Sequence, residues 1–387
     1  MANKIIFVLG MHRSGTSAVA GSLASVGCNF PTNLVEADAI DNPKGYWEPK
    51  EVVEINDKIL EIFSMGYIDF FNFPNDWLEN EKLHEVRKKA ERWIETSFNS
   101  NGVFVVKDPR LCRTLPFWLS LIKDKKISAF CIHVVRHPLD VYQSLFRRDA
   151  TVSKTVALAA WLTYTKDSVI NSKGLPSFIL PYNELITDPL NVMTKIISEF
   201  DLGFSAINAN HELTSFVDVA LNRSELVRAN SLGLVDELCC RVFNLLCKHM
   251  FKSVQEEFIV EFGEVLDLNQ DVLLLLSDIS NHMRLEKTNS YAQITYRDQL
   301  IVDLGEKIND INVNSSSQIK YRDGVISDLN EHIQAINMNA EEQIKYRDCL
   351  ISLKDEEILF LKTSVFSRVF NKIKDEYISY ISYRDVI

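Results

Sequence analysis

Proline is absent from the second half of this chain. All ten prolines lie at or before Pro189, and all five tryptophans lie at or before Trp161. After Pro189 only Gly203, Gly233, Gly263, Gly305 and Gly324 could interrupt a helix. The C-terminal half is therefore helix-compatible almost throughout, while the N-terminal half carries the turn residues of a mixed fold. Paired cysteine spacing is also missing. Seven cysteines, an odd number, give no disulfide framework, and the Cys239-Cys240 pair sits in an apolar helical stretch suited to buried thiols. A reducing, cytoplasmic setting follows, with a peripheral seat at the inner membrane face as a further expectation.

Long apolar runs are lacking as well. Ile5–Leu9 and Val272–Leu276 are far short of the ~20 residues of a spanning helix. The N-terminal run lacks a small-residue cleavage site and reads as a first strand, not a leader. Positive charge is in deficit: 42 Lys and Arg against 53 Asp and Glu leave a net charge of −11. Nucleic acid is excluded as the main partner, since wrapping phosphates needs a basic surface. A local pocket for a small anion remains open. No Cys/His spacing suggests a metal site.

The chain itself has 387 residues, 46% hydrophobic and 25% charged, enough for a sizeable core and about two domains. Four short apolar runs, Ile5–Leu9, Val103–Val106, Ala129–Val135 and Ser177–Leu180, read as strands buried on both faces. Amphipathic stretches such as Glu81–Phe98 and Lys154–Ile170 separate them. This alternation predicts an α/β fold, a P-loop-like parallel sheet flanked by helices, with ligands at the carboxyl ends of the strands. An all-helical C-terminal region follows. We divide the chain as 1–225 (α/β domain), 226–288 (helical extension) and 289–387 (repeat tail).

The tail repeats. Gln293-Ile-Thr-Tyr296-Arg297-Asp298 recurs around Tyr321 and Tyr346, each 25 residues on, and Tyr383-Arg384-Asp385 falls out of phase. Apolar and aromatic residues step by four and three through Tyr296, Leu300, Leu304, Ile308 and Ile311, then through Tyr321, Val325, Leu329, Ile333 and Ile336. Such a narrow stripe predicts a coiled coil, hence a homo-oligomer or a partner protein through residues 289–387. A solvated, partly disordered tail is the competing reading. The basic, amphipathic segment Phe366–Lys374 reads as a helix-packing face before a membrane-surface one.

Chemistry concentrates after the first strand. Gly10-Met11-His12-Arg13-Ser14-Gly15-Thr16-Ser17 precedes the helical Ala18–Val26. A strand, a tight loop and a helix N-terminus aim backbone N–H groups at one spot and favour a phosphate or sulfate there. The triphosphatase loop needs lysine where Thr16 stands, so the ligand differs from ATP or GTP. A second group, Arg136, Asp140 and Ser144, sets a cation at a strand end, a cap for the helix after Pro138, and a hydroxyl two turns in. Two such clamps imply a ligand with two separated anionic groups.

These motifs resemble the PAPS-dependent sulfotransferases, which use 3′-phosphoadenosine 5′-phosphosulfate (PAPS) as donor. Arg13-Ser14-Gly15-Thr16-Ser17 is similar to the family's phosphosulfate loop, and Arg136, Asp140 and Ser144 to its 3′-phosphate motif. Pro181–Pro189 resembles a further family segment. The loop 10–17, Asp41–Glu48 and Lys107-Asp108-Pro109-Arg110 are similar to a bacterial, surface-polysaccharide-associated branch, and Phe216–Arg223 resembles its late segment. The resemblance spans residues 4 to 225. It implies sulfuryl transfer from PAPS, without a metal, to a hydroxyl or amine, with a hydroxyl of a carbohydrate or glycolipid as the expected acceptor and a glycosyltransferase as an expected partner of residues 289–387. Cofactor binding would fall to Arg13, Ser14, Gly15, Thr16, Ser17, Arg136 and Ser144, and catalysis to Arg13, Lys107 and a base. The family's usual histidine position is Pro109, which leaves Glu48 first and Asp108 second as base. A solvated loop carboxylate competes at Glu48, and an ion pair with Arg110 is preferred at Asp108. His12 either lines the loop or makes a structural contact, His133 reads as core, His137 as near the nucleotide, and Trp47, Trp77, Trp118 and Trp161 as core. A nucleotide kinase or hydrolase with a degenerate loop, and a non-catalytic coiled-coil scaffold, are the competing functions.

Overall fold

The structure is a computed structural model and describes residues 3–38, 42, 44–98, 102–206, 213, 233–313 and 319–360. Two compact units divide the chain, Met1–Leu274 and Leu275–Ile387.

Four parallel strands form the centre of the first unit: β1 (Asn3–Leu9), β2 (Val103–Lys107), β3 (Ile127–Val135) and β4 (Ser177–Pro181), in the order β2-β1-β3-β4. All four predicted strands are present. Their apolar character reflects burial by helices on both faces, which leaves Ile6, Val8, Val105, Ile132 and Leu180 fully or nearly fully enclosed. Register is tight: Val8 lies level with Lys107 on one side, and Leu9 with His133 on the other.

Each strand end feeds a helix. α1 (Thr16–Ser25) follows β1, and α2 (Lys50–Ile62) and α3 (His84–Ser97) fill the connection to β2. α4 (Leu111–Ile122) follows β2, α5 (Pro138–Arg148) and α6 (Lys154–Asn171) follow β3, and α7 (Tyr182–Thr187) and α8 (Pro189–Glu199) follow β4. The chain leaves β1 toward β2 on one side and returns to β3 on the other. The crevice between β1 and β3 is therefore the switch point where ligands of such sheets bind.

Two helices extend this unit, α9 (Leu234–Lys248) and α10 (Glu256–Asp267). Cys239 is buried in α9 and Cys240 half-buried, and all seven cysteines are free thiols. Two long helices follow, α11 (Gln270–Val313) and α12 (Ile319–Phe360). Along α12 the more sheltered positions include Leu329, Ile333 and Ile336, on the predicted stripe, and Tyr346 of the third repeat. A coiled coil is a relation between two helices, so length and stripe alone do not establish one. Phe216–Arg223 and Phe366–Lys374 lie outside the described residues. No described helix is long and apolar enough to cross a membrane.

Candidate active site

The loop after β1 closes on itself before α1 begins. Ser14 N–H donates to the Met11 carbonyl at 3.1 Å, and Arg13 and Gly15 take left-handed φ values of 70° and 91°. Alternating left- and right-handed residues turn successive N–H groups inward, the geometry of an anion cradle. α1 receives no side-chain cap at Gly15 and has no acid in its first turn, so its dipole favours an incoming anion. Close packing demands both glycines. A Cβ on Gly10 would lie 2.6 Å from the Val134 carbonyl oxygen, and one on Gly15 would lie 2.1 Å from the Tyr182 ring.

Arg136 stands at the end of β3 and reaches this loop. One of its Nη1 protons goes to the Arg13 carbonyl at 3.0 Å, and its guanidinium lies over the Tyr182 ring, 5.1 Å from the centroid. Arg13 Nε in turn donates to Ser144 Oγ at 3.0 Å, two turns into α5. Trp161 Nε1 anchors the Arg136 carbonyl from α6 at 3.1 Å. Arg13, Arg136 and Ser144 are thus brought together, with Gly15, although Arg13 and Ser144 lie 131 residues apart. Burial lowers the Arg136 pKa from its ordinary value, with Tyr182 and Asp140 acting the other way. A bound anion would relieve that desolvation. Asp140 makes no cap: His137 occupies the N-cap position of α5 and no side chain bonds there. Asp140 sits one turn late for capping, in the first turn, and supplies only its charge.

Lys107 ends β2 on the other flank of the loop, and it is not an open cation. Its ammonium donates to Glu48 Oε1 at 2.6 Å, to the Tyr46 carbonyl at 3.0 Å and to Ser17 Oγ at 3.2 Å. Glu48 is correspondingly no solvated loop carboxylate. Its side chain is 12% exposed and that of Lys107 2%, because the Tyr46–Glu48 turn folds over the strand end. Asn42 adds a bond to Ser17 Oγ at 3.1 Å. Asp41 and Pro43 lie outside the described residues.

Asp108 is fully buried and structural. It accepts from Asn56 Nδ2 at 2.8 Å and from Arg110 N and Nη1 at 3.0 Å. Burial opposes the Arg110 charge, but the Asp108 and Asp57 carboxylates outweigh it and raise the pKa. Asn56 escaped the sequence reading. Its Oδ1 accepts from Thr114 and Trp118 at 2.8 and 2.9 Å, which fills both acceptor sites of a buried amide. The legible signal was an asparagine on the apolar face of α2, between Val52, Ile55, Ile59 and Leu60.

His12 packs edge-on against Tyr67 and Tyr164, at 5.0 and 5.8 Å between centroids. Burial, then Arg110, Lys107, Arg148 and Arg13, hold its pKa well below the ordinary range, so it is neutral at pH 7. His133 is core, between Ser168 and Ser172, and burial lowers its pKa to about 4. His137 faces Phe243 and lies 4.0 Å from Cys240 Sγ. Trp118 and Trp161 are core, but Trp47 and Trp77 are only half-buried. Trp47 reaches back to the Lys44 carbonyl, and Trp77 stacks on Phe73 at 4.2 Å, so both close loop edges rather than fill the centre.

No protein-family model matches the chain, and no curated protein matches it. Among solved structures it is similar to the sulfotransferase domain of the Synechococcus PCC 7002 olefin synthase. That likeness has 18% identity and a TM-score of 0.38, over 63% of this chain and 95% of the other. It is also similar to a sulfotransferase domain from the curacin biosynthetic pathway, with 14% identity, 52% and 74% coverage, and a TM-score of 0.30. At these scores neither similarity identifies the function.

Proposed function

We propose that the chain is a sulfotransferase that moves a sulfuryl group from PAPS to a hydroxyl of a carbohydrate or glycolipid. The observation that carries this reading is the direct contact of a loop arginine with a strand-end arginine: Arg136 holds the Arg13 carbonyl while Arg13 holds Ser144. One crevice thereby offers an anion loop and a second cation–hydroxyl clamp. A nucleotide with phosphates at both ends of its adenosine matches that pair, and the absence of lysine after Gly15 disfavours a triphosphate.

In this reading the loop N–H groups, with Ser14, Thr16 and Ser17, hold the phosphosulfate. Arg136 and Ser144 hold the 3′-phosphate. Arg13 stabilises the charge that develops on the leaving phosphate, a task for a fixed guanidinium that never deprotonates. Lys107 is the second cation at the transferring group, and Glu48 the base that accepts the hydroxyl proton. Asp108, held by Asn56 and Arg110, positions the strand end and is no base. This reading routes none of these steps through a metal. The carbohydrate or glycolipid acceptor rests on the resemblance of the loop, Asp41–Glu48 and Lys107–Arg110 to the polysaccharide-associated branch.

Calorimetry with adenosine 3′,5′-bisphosphate and with ADP tests the donor site. Binding of the bisphosphate at least tenfold tighter than ADP, lost in Arg136→Ala, is expected; ADP preference would overturn the reading. Transfer of labelled sulfate from PAPS to glycan and lipid extracts then tests the acceptor class. For residues 289–387 we propose self-association through the repeated stripe. Light scattering should give the full chain a multiple of the monomer mass and a 1–285 fragment a single mass; a monomeric full chain refutes it.

A further inference from the structure

Lys107 and Glu48 cannot both act in the arrangement described above. An ammonium has three protons. Those of Lys107 are taken by Glu48, Tyr46 and Ser17 within 3.2 Å. Nothing is left for a sulfuryl oxygen. Glu48, for its part, cannot take a hydroxyl proton while its charge is committed to a buried ion pair, because losing one partner of such a pair strands the other. Both roles require the same 2.6 Å contact to break.

The geometry supplies a route. Ser17 is the second residue of α1, on the rim of the anion loop, and it is bonded to Lys107. A sulfonate seated on that loop therefore arrives one side chain away from the ammonium. The turn carrying Glu48 stores strain: Trp47 has φ 61°, a left-handed conformation that costs a bulky residue about 1–2 kcal/mol. The Trp47 indole bond to the Lys44 carbonyl and the edge contact with Phe30 at 5.1 Å oppose that strain. Strained residues of this kind cluster at ligand clamps and switch regions.

We infer that Lys107 exchanges partners when the donor binds, leaving Glu48 for the sulfonate oxygens and so releasing Glu48 toward the acceptor. This rests on the sulfotransferase reading and deepens it. The reaction then runs in balance. The acceptor oxygen forms its bond to sulfur as the bridging phosphate oxygen–sulfur bond breaks, and the electron pair of that bond leaves with adenosine 3′,5′-bisphosphate. The acceptor proton passes to Glu48. Before the donor is seated the base is unavailable, so acceptor activation waits on the donor. The spent nucleotide lacks the group Lys107 moves to, and once Glu48 has released the acceptor proton to water the ion pair re-forms and the latch closes again.

The test uses the full chain without acceptor. Calorimetry and stopped-flow tryptophan fluorescence are recorded with PAPS and with adenosine 3′,5′-bisphosphate. PAPS is expected to change the fluorescence in a phase that the bisphosphate does not produce, and Trp47→Phe should remove that phase. Glu48→Gln should bind PAPS three- to tenfold more tightly while its affinity for the bisphosphate is unchanged, since Lys107 no longer leaves a carboxylate behind. Lys107→Met should erase the difference between the two ligands, with thermal melts confirming that each variant is folded. If both ligands bind with the same fluorescence signal, or Glu48→Gln shifts both affinities alike or neither, the exchange is refuted and the donor site stands. If neither ligand binds the wild type, the sulfotransferase reading falls and the exchange falls with it.

Discussion

Gly15→Ala is the sharpest single perturbation of this site. The new methyl carbon would sit 2.1 Å from Tyr182 Cδ2 and 2.4 Å from Cε2, where carbon atoms normally meet at about 3.5–4.0 Å. Gly15 also has φ 91°, a conformation that costs an L-residue about 1–2 kcal/mol. Forcing the ring aside adds an overpacking penalty of about 1–3 kcal/mol. The two effects together predict a loss of about 2–5 kcal/mol, which for a unit of this size lowers Tm by about 2–4 °C per kcal/mol. The displaced ring is also the surface on which Arg136 rests, 5.1 Å from its centroid, so nucleotide affinity should drop at least tenfold. Thermal unfolding followed by circular dichroism, with calorimetry for binding, reads both effects. A double-mutant cycle with Tyr182→Ala separates them: without the ring, only the backbone penalty of about 1–2 kcal/mol should remain. An equal penalty with and without Tyr182, or a variant within about 0.5 kcal/mol of wild type, would refute the steric reasoning.

Three further outcomes follow from buried groups. Asn56→Leu leaves Asp108 Oδ2 and the Trp118 N–H without their partner, while the Thr114 hydroxyl keeps the Arg110 carbonyl, and at about 1–3 kcal/mol for each of the two stranded groups it should cost about 2–6 kcal/mol in urea unfolding; a cost below about 1 kcal/mol contradicts the network. His133 is held neutral, its pKa lowered from 6.5 to about 4 by burial, so between those values the unfolded chain binds the extra proton and stability falls as pH falls. Over that window the loss is about 3 kcal/mol, with His12 and His137 acting in the same direction, and His133→Gln should flatten the slope; an unchanged pH dependence in that variant counts against it. Among the cysteines, exposed Cys349 should be alkylated first in the folded chain, while burial pushes Cys28 up to about 12 and raises Cys112, Cys131 and Cys239, which should react only on unfolding; mass spectrometry showing Cys112 or Cys131 labelled before Cys349 would disprove this.

The strands were readable because each lies buried on both faces and must be a continuous apolar run, so Ile5–Leu9 and Ala129–Val135 announce themselves within a few residues. The tight turn after β1 was readable for a similar reason. Its glycines answer local demands of turn and close approach, and its cation lies inside the same short segment. Asp140 misled because spacing after Pro138 resembles a cap, whereas the helix had already begun at Pro138 and its N-cap is His137. Glu48 was open between a base and a solvated carboxylate because nothing local decides burial. Its partner is 59 residues away.

Local sequence determined where the backbone turns and which runs are strands, since those follow from side-chain periodicity and backbone freedom over a few residues. Tertiary closure alone decided which charges meet. The parallel sheet aligns the ends of β1, β2 and β3, and that alignment sets Arg136 on the Arg13 carbonyl and Lys107 against Glu48. Electrostatic pairing depends on distance in space and on exclusion of water, and neither is a property of sequence separation.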